Sequence, residues 1–201
     1  MKIVIASTNQ GKIREIKKIL APTGHSFVSL DELEVSIDVV ENGLTFEENA
    51  QKKAKAVSEE TGLPSISDDS GLEVKALAGG PGIHTGRFGG PGLSDQQRYL
   101  LLLEKMVHVP AGKREARFVC VIAFYDFENE SGESFRGECT GEIVTKPHGS
   151  AGFGYDPVFF VPGYGKTFSE LDQTIKNRMS HRANALKQVA EFLKKSPISP
   201  G

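Results

Sequence analysis

Asp68 and Asp69 stand side by side, followed by the Ser70 hydroxyl and by Gly71, directly after the short apolar run Leu63-Pro64-Ser65-Ile66. Adjacent carboxylates on a turn at a strand end offer hard oxygen ligands. Mg²⁺ binds through one or two carboxylates together with substrate phosphate oxygens and waters of its own. The same residues also build an Asx-type turn that caps the following segment, so the stretch by itself leaves both readings open. A second group, Ser7-Thr8-Asn9-Gln10-Gly11-Lys12, sets hydroxyls, amides and an ammonium at a turn leading into a helix. Free backbone N–H groups and the helix dipole there attract anions, which makes it a seat for phosphate. Taken alone it also reads as helix capping by Ser7 or Asn9.

Three further groups carry chemistry and each has a plainer alternative. Glu41-Asn42-Gly43 precedes a segment bearing Glu48 and Lys53, where a lone glutamate is usually a solvated loop charge. Phe153-Gly154-Tyr155-Asp156-Pro157 combines an aromatic face, a flexible backbone and an acceptor, the parts needed to stack a base and read its edge. Two core aromatics in a turn would look the same. Ser180-His181-Arg182 offers donors and a cation at the start of a helix, or simply an N-cap with solvated neighbours.

The elements that must carry these residues alternate between strand and helix periodicity. Lys2 to Ser7 reads as a buried strand, and Ile13, Ile16, Ile19 and Leu20 follow helical spacing after the break at Asn9-Gln10-Gly11. A second strand is expected over Ser26 to Leu30 and a helix over Thr45 to Thr61, opened by Thr45 with Glu48 and stopped by Gly62-Leu63-Pro64. Pro64 to Ser67 reads as a short strand ending at the acidic pair, with another over Leu72 to Leu77. The segment between Gly79-Gly80-Pro81-Gly82 and Gly89-Gly90-Pro91-Gly92 reads as an ordered loop. Ser94 caps a helix to about Met106, and Arg117 to Phe127 and Ser134 to Thr145 alternate like two long strands joined by Glu128 to Glu133. A strand at Pro157 to Val161 and a helix over Ser180 to Lys194 follow. The single domain is expected to span residues 1–196, with residues 197–201 as a fraying tail. Interleaved strands and helices, then a long hairpin, argue for an α/β fold with a mixed sheet.

The chain has 201 residues, 38% of them hydrophobic, enough for one substantial core that admits two lobes. A formal charge of −2, with no long basic run, gives no support for nucleic-acid binding. Ile3-Val4-Ile5-Ala6 is too short for a signal-peptide core and no segment is long enough to span a membrane, so a cytoplasmic protein is expected. In that compartment Cys120 and Cys139 read as reduced core residues. Gly165-Lys166-Thr167 resembles the end of a P-loop, but Phe160 stands where its first glycine belongs. Gly152-Phe153-Gly154 follows no strand–helix crossover, and zinc-protease and serine-hydrolase motifs are missing.

Taken in order, Ser7-x-Asn9-x-x-Lys12, Glu41-x-Gly43-x-Thr45-Phe46-x-x-Asn49-Ala50-x-x-Lys53-Ala54, Asp68-Asp69-Ser70-Gly71-Leu72, Phe153-Gly154-Tyr155-Asp156-Pro157 and Ser180-His181-Arg182-Ala183 closely resemble the inosine/xanthosine triphosphate pyrophosphatase family of house-cleaning nucleotide hydrolases. The likeness runs from about Met1 to Leu193. It implies Mg²⁺-dependent hydrolysis of dITP, ITP and XTP to the monophosphate and pyrophosphate by a homodimer. It also implies an elongated mixed sheet flanked by helices, in two lobes with the active-site cleft between them. By the same resemblance, Asp69 is the expected base and a metal ligand, joined by Glu41 and Asp68. Ser7, Thr8, Asn9, Gln10, Gly11, Lys12, Lys53 and Ser70 match phosphate-side positions, and Phe153, Gly154, Tyr155, Asp156, Lys176, His181 and Arg182 match positions around the nucleoside. Donors from Lys176, His181 or Arg182 would suit a 6-oxo purine. His84-Thr85-Gly86-Arg87-Phe88 departs from the family pattern of a tyrosine, a small residue, Ala-Arg and an aromatic. The Ser-x-Ser-Pro-Arg opening of the related Maf-type enzymes and the Asp-x-Asp of haloacid-type phosphatases are both missing. A nucleotide sensor without turnover is the alternative from outside the enzymes.

Overall fold

The computed structural model describes residues 1–195. Strands β1 (Lys2–Ala6), β2 (Ser26–Ser29) and β3 (Ser65–Val74) alternate with helices α1 (Gln10–Leu20), α2 (Phe46–Thr61) and α3 (Asp95–Lys105), after which strands β4 (Glu115–Asp126), β5 (Ser131–Ile143), β6 (Phe159–Val161) and β7 (Lys166–Thr167) follow one another and helices α4 (Gln173–Met179) and α5 (His181–Lys195) close the described chain. The strands form one seven-stranded sheet in the order β2-β1-β3-β4-β5-β6-β7. β1 runs parallel to both β2 and β3, while β5–β6 and β6–β7 are antiparallel. The expected α/β fold with a mixed sheet is what forms. Among the described residues no helix is long and apolar enough to cross a membrane.

Contacts gather into two compact units. The first comprises Met1–Asp69, Cys120–Gly137 and residues 182–195, and the second Ser70–Val119 and Glu138–His181. In the first unit Ile3, Ile5 and Ile66 join Ile122 and Phe124 under Ile13, Ile16 and Leu20 of α1 and Leu186, Val189 and Leu193 of α5. Val4, Ala6, Leu30 and Val57 form a smaller cluster at the other face, where α2 packs. A central parallel strand covered on both faces needs a continuous apolar run, which Ile3-Val4-Ile5 supplies. The second unit is built around Phe118, Phe159 and Phe168, whose rings pack with centroids 4.6 to 5.6 Å apart.

Three expectations change. Asp68 and Asp69 lie inside β3 rather than on a turn after a short strand, because Ser65 to Val74 continue as one strand through Gly71. The hairpin turn is shorter than the polar run suggested, since β5 already begins at Ser131. Finally, β7 and α4 carry too few residues for their periodicity to stand out. Cys120 and Cys139 are buried thiols. The tail beyond residue 196 lies outside the described residues.

Candidate active site

β3 decides how the acidic pair can act. Successive side chains of a strand point to opposite faces, and the partners of β3 divide accordingly. Ser65 Oγ and Ser67 Oγ donate to the Ala54 and Ala50 carbonyls of α2, each at 2.6 Å, and Asp69 follows on that same face. Ile66 packs under α1 and α5, and Asp68 continues on their side.

Asp68 is fully enclosed. Its Oδ1 lies 2.5 Å from Lys12 Nζ, and its Oδ2 accepts from Arg182 Nε at 2.6 Å and from the Cys120 thiol at 3.2 Å. Arg182 Nη1 in turn donates to Glu15 Oε2 at 2.6 Å. Burial works against the Asp68 charge, but Arg182 and Lys12 outweigh it and hold the carboxyl well below its ordinary range. Arg182 is buried too, and its guanidinium is held charged by Asp68 and Glu15 against the cost of desolvation. Asp68 therefore anchors cations rather than presenting a free oxygen to a metal. Arg182 answers to carboxylates of its own unit.

Asp69 is placed differently. Lys53 Nζ reaches Glu41 Oε1 at 2.8 Å and Asp69 Oδ1 at 3.3 Å, and it donates to the Asp68 carbonyl at 2.9 Å. The second oxygen, Asp69 Oδ2, is buried without a hydrogen-bond partner. Burial raises the Asp69 pKa, and Lys53 and Lys12 only partly offset that rise. Burial pulls the Lys53 pKa down, but Asp69 and Glu41 outweigh it and leave it raised. Glu41 is held by its loop, where the Gly43 N–H donates to Asn49 Oδ1 at 2.8 Å. A Cβ at Gly43 would come within 2.7 Å of that oxygen.

At the start of α1, Asn9 Oδ1 accepts from Lys12 N at 3.1 Å and the Asn9 N–H donates to Ser7 Oγ at 3.2 Å. The capping alternative is thus realised, and α1 has no acidic side chain in its first turn. Thr8 is exposed, Gly11 half-buried, and Gln10 Nε2 donates to Asp31 at 3.1 Å. The register pairing Ala6 with Ser67 brings this turn beside the acidic pair inside β3. Ser70, half-buried, follows Asp69 in β3.

The residues expected around a nucleoside, Arg182 apart, belong to the second unit. Asp156 Oδ2 accepts from Lys176 Nζ at 2.7 Å and from Phe153 N at 3.0 Å. The Lys176 ammonium also sits 5.7 Å from the centroid of the half-buried Phe153 ring and 5.3 Å from that of Phe168. Gly154 adopts φ +61°, and a Cβ at Gly152 would run into the Asp156 carboxylate. Tyr155 is a core residue whose hydroxyl donates to the Thr85 carbonyl at 3.1 Å, whereas the neighbouring Phe153 ring stays half-buried. His181 is likewise buried, its ring parallel to Phe118 at 4.6 Å.

Sequence reasoning passed over Glu15 and Asp95, and it met Thr85 only as part of a departure from the family pattern. Glu15 left a trace, since it falls three residues after Lys12 and beside the apolar positions of α1, where a solvated glutamate is out of place. Thr85 and Asp95 act through partners distant in the chain and left no local signal.

The decisive observation lies outside the geometry: the family model described as the Ham1 family matches residues 3–192. This chain belongs to the Ham1 family. It is 45% identical to the dITP/XTP pyrophosphatase of Desulforamulus reducens over 193 residues, covering 96% of each chain. Among solved Ham1 structures, it matches the HAM1 protein from Coxiella burnetii with a TM-score of 0.89 at 39% identity, covering 98% of this chain and 100% of that one. It matches the Staphylococcus aureus Ham1 protein with a TM-score of 0.85 at 41% identity, covering 96% and 98%.

Proposed function

We propose that this protein hydrolyses the non-standard purine nucleoside triphosphates dITP, ITP and XTP to the monophosphate and pyrophosphate, clearing them from the cytoplasmic nucleotide pool. One observation carries the reading: the buried, unpartnered Asp69 Oδ2 stands in a cluster with Lys53 and Glu41, next to Asp68, which Lys12 holds. Relatives named as dITP/XTP pyrophosphatases along nearly the whole chain support it.

The donor set fits a hard divalent cation. Among the described residues no group of three His, Cys, Asp or Glu side chains gathers as a metal cage. Mg²⁺ does not need one, because one or two carboxylates suffice when phosphate oxygens and waters complete its shell. Asp69 and Glu41 would hold it, with Asp68 committed to Lys12 and Arg182. When bound, the ion neutralises charge on the triphosphate and favours attack on phosphorus.

The chain's own groups supply the rest. Asp69 Oδ2, the oxygen with no partner of its own, takes the proton of a water aimed at the α-phosphorus, as a general base does. Lys12, and Lys53 beside Asp69, offset the charge that develops on the phosphate oxygens, which is most of what phosphoryl transfer asks of a protein. Phe153 stacks the purine, and Lys176 with nearby backbone N–H groups donates to its 6-oxo group, where adenine would present an amino group instead. Sites that hydrogen-bond a substrate group reject analogues by up to about 10⁴–10⁵. The family likeness also supports a homodimer, which sedimentation equilibrium would test.

Pyrophosphate release from dITP, ITP, XTP, GTP and ATP, with and without Mg²⁺, tests the reading. Mg²⁺-dependent pyrophosphate from the first three is expected. Orthophosphate instead would indicate a phosphatase, tight binding without turnover a sensor, and equal cleavage of ATP would defeat the base assignment.

A further inference from the structure

Phe153 sits between two glycines, and Gly152 and Gly154 both have positive φ, at +88° and +61°. Nothing in that local sequence fixes where its ring points. The two peptide planes flanking the Phe153 Cα contain the N–H groups of Phe153 and Gly154, so holding both groups fixes φ and ψ of Phe153 and hence the direction of its Cβ. One of them, Phe153 N–H, goes to Asp156 Oδ2 at 3.0 Å, a carboxylate further fixed by Lys176. The other, Gly154 N–H, goes to Asp95 Oδ2 at 2.8 Å, from a residue 59 positions away.

Asp95 is itself rigidly presented. It is the first residue of α3, whose start is closed by Ser94 and Gln97, with Ser94 Oγ accepting from Gln97 N at 3.2 Å and Gln97 Oε1 accepting from Ser94 N at 2.8 Å. A carboxylate at that place would be expected to interact with its own helix's N–H groups. Here it reaches across to Gly154 instead.

We propose that Asp95 is a positioning residue for base recognition: by holding the Gly154 N–H it sets the Phe153 ring for stacking, without touching substrate itself. The inference rests on the proposed function, and it adds a residue that none of the motifs contains. Base–aromatic stacking contributes to holding the base rather than to the chemical step, so releasing the ring should raise KM several-fold with little change in kcat.

The test compares the wild-type protein with Asp95→Ala and Asp95→Asn, reading both steady-state kinetics on dITP and amide exchange at Gly154 by NMR. The expected result is a roughly five- to tenfold rise in KM and faster Gly154 exchange in Asp95→Ala, consistent with loss of a charge-assisted hydrogen bond. In Asp95→Asn, whose Oδ1 still accepts, both should largely return. Loss of kcat at constant KM, or equal impairment of the two variants, would make the role a matter of α3 stability or charge and overturn the inference. Unchanged KM and unchanged exchange in Asp95→Ala would overturn it alone. A wild-type protein that yields no pyrophosphate from dITP would overturn the functional reading beneath it.

Discussion

The Asp68 carboxylate lies 2.5 Å from Lys12 Nζ and 2.6 Å from Arg182 Nε, whereas Asp69, the next residue, meets Lys53 at 3.3 Å on the opposite face of β3. The strand thus splits an acidic pair into one structural carboxylate and one with an oxygen to spare. Their substitutions should separate in the same way. Asp69→Asn removes the proposed base but leaves the other ion pairs intact, so turnover should fall at least about 10³-fold while the melting temperature holds. Asp68→Asn removes one of the two carboxylates that hold buried Arg182, leaving Glu15, and the carboxylate that holds half-buried Lys12, and should cost about 3–5 kcal/mol in denaturant unfolding. Equal stability loss in the two variants would contradict the division.

Acid unfolding of the metal-free protein should carry both signs. Asp68 has a lowered folded pKa, so its stabilisation is complete above the unfolded value near 3.9 and is lost as pH falls from there toward the folded pKa. Asp69 has a raised folded pKa. Between the unfolded value and that raised value the folded state binds the extra proton, so this group alone makes stability rise as pH falls. Urea midpoints across pH 2–7 in chelator should show Asp69→Asn losing the second trend and Asp68→Asn losing the steep acid limb.

Gly43→Ala probes the loop that holds Glu41. Its Cβ would approach Asn49 Oδ1 to 2.7 Å and Glu48 Cβ to 2.8 Å, so the loop or α2 must shift. We expect roughly 1–3 kcal/mol of destabilisation, as for other overpacked sites, and a higher Mg²⁺ concentration at half-maximal rate. An unchanged metal dependence would mean that Glu41 is not a ligand.

Thr85→Val tests a tie within the second unit. Thr85 Oγ1 accepts from Leu72 N at 2.8 Å and donates to the Gly82 carbonyl at 2.6 Å, while its own carbonyl receives the Tyr155 hydroxyl. Valine keeps the shape but leaves the buried Leu72 N–H unsatisfied, at about 1–3 kcal/mol. Tyr155→Phe should cost less, about 0.5–1.5 kcal/mol, because it deletes a single neutral hydrogen bond. Both are read from thermal unfolding.

Much of this was legible in the sequence because the information is local. The apolar run of β1, the stripe of α1, and the Thr45 and Ser94 caps each need only a few neighbouring residues to declare themselves, and all four formed, although the Glu48 carboxylate accepts from Leu44 N instead of closing a box on Thr45. The motif residues were recognisable by type and order. What could not be read was direction. Only the continuation of β3 through Gly71 shows that Asp68 and Asp69 face apart, and only packing shows that Tyr155 turns inward while Phe153 does not. The Arg182–Glu15 and Asp95–Gly154 contacts join residues 167 and 59 positions apart, beyond the reach of any local pattern.

Turnover of dITP in ¹⁸O-labelled water, with the wild-type protein and Asp69→Asn side by side, tests the central claim most directly. The account predicts label in the deoxyinosine monophosphate, unlabelled pyrophosphate, and near-complete loss of both products in the variant. Label in the pyrophosphate, release of orthophosphate, or wild-type turnover by Asp69→Asn would contradict it.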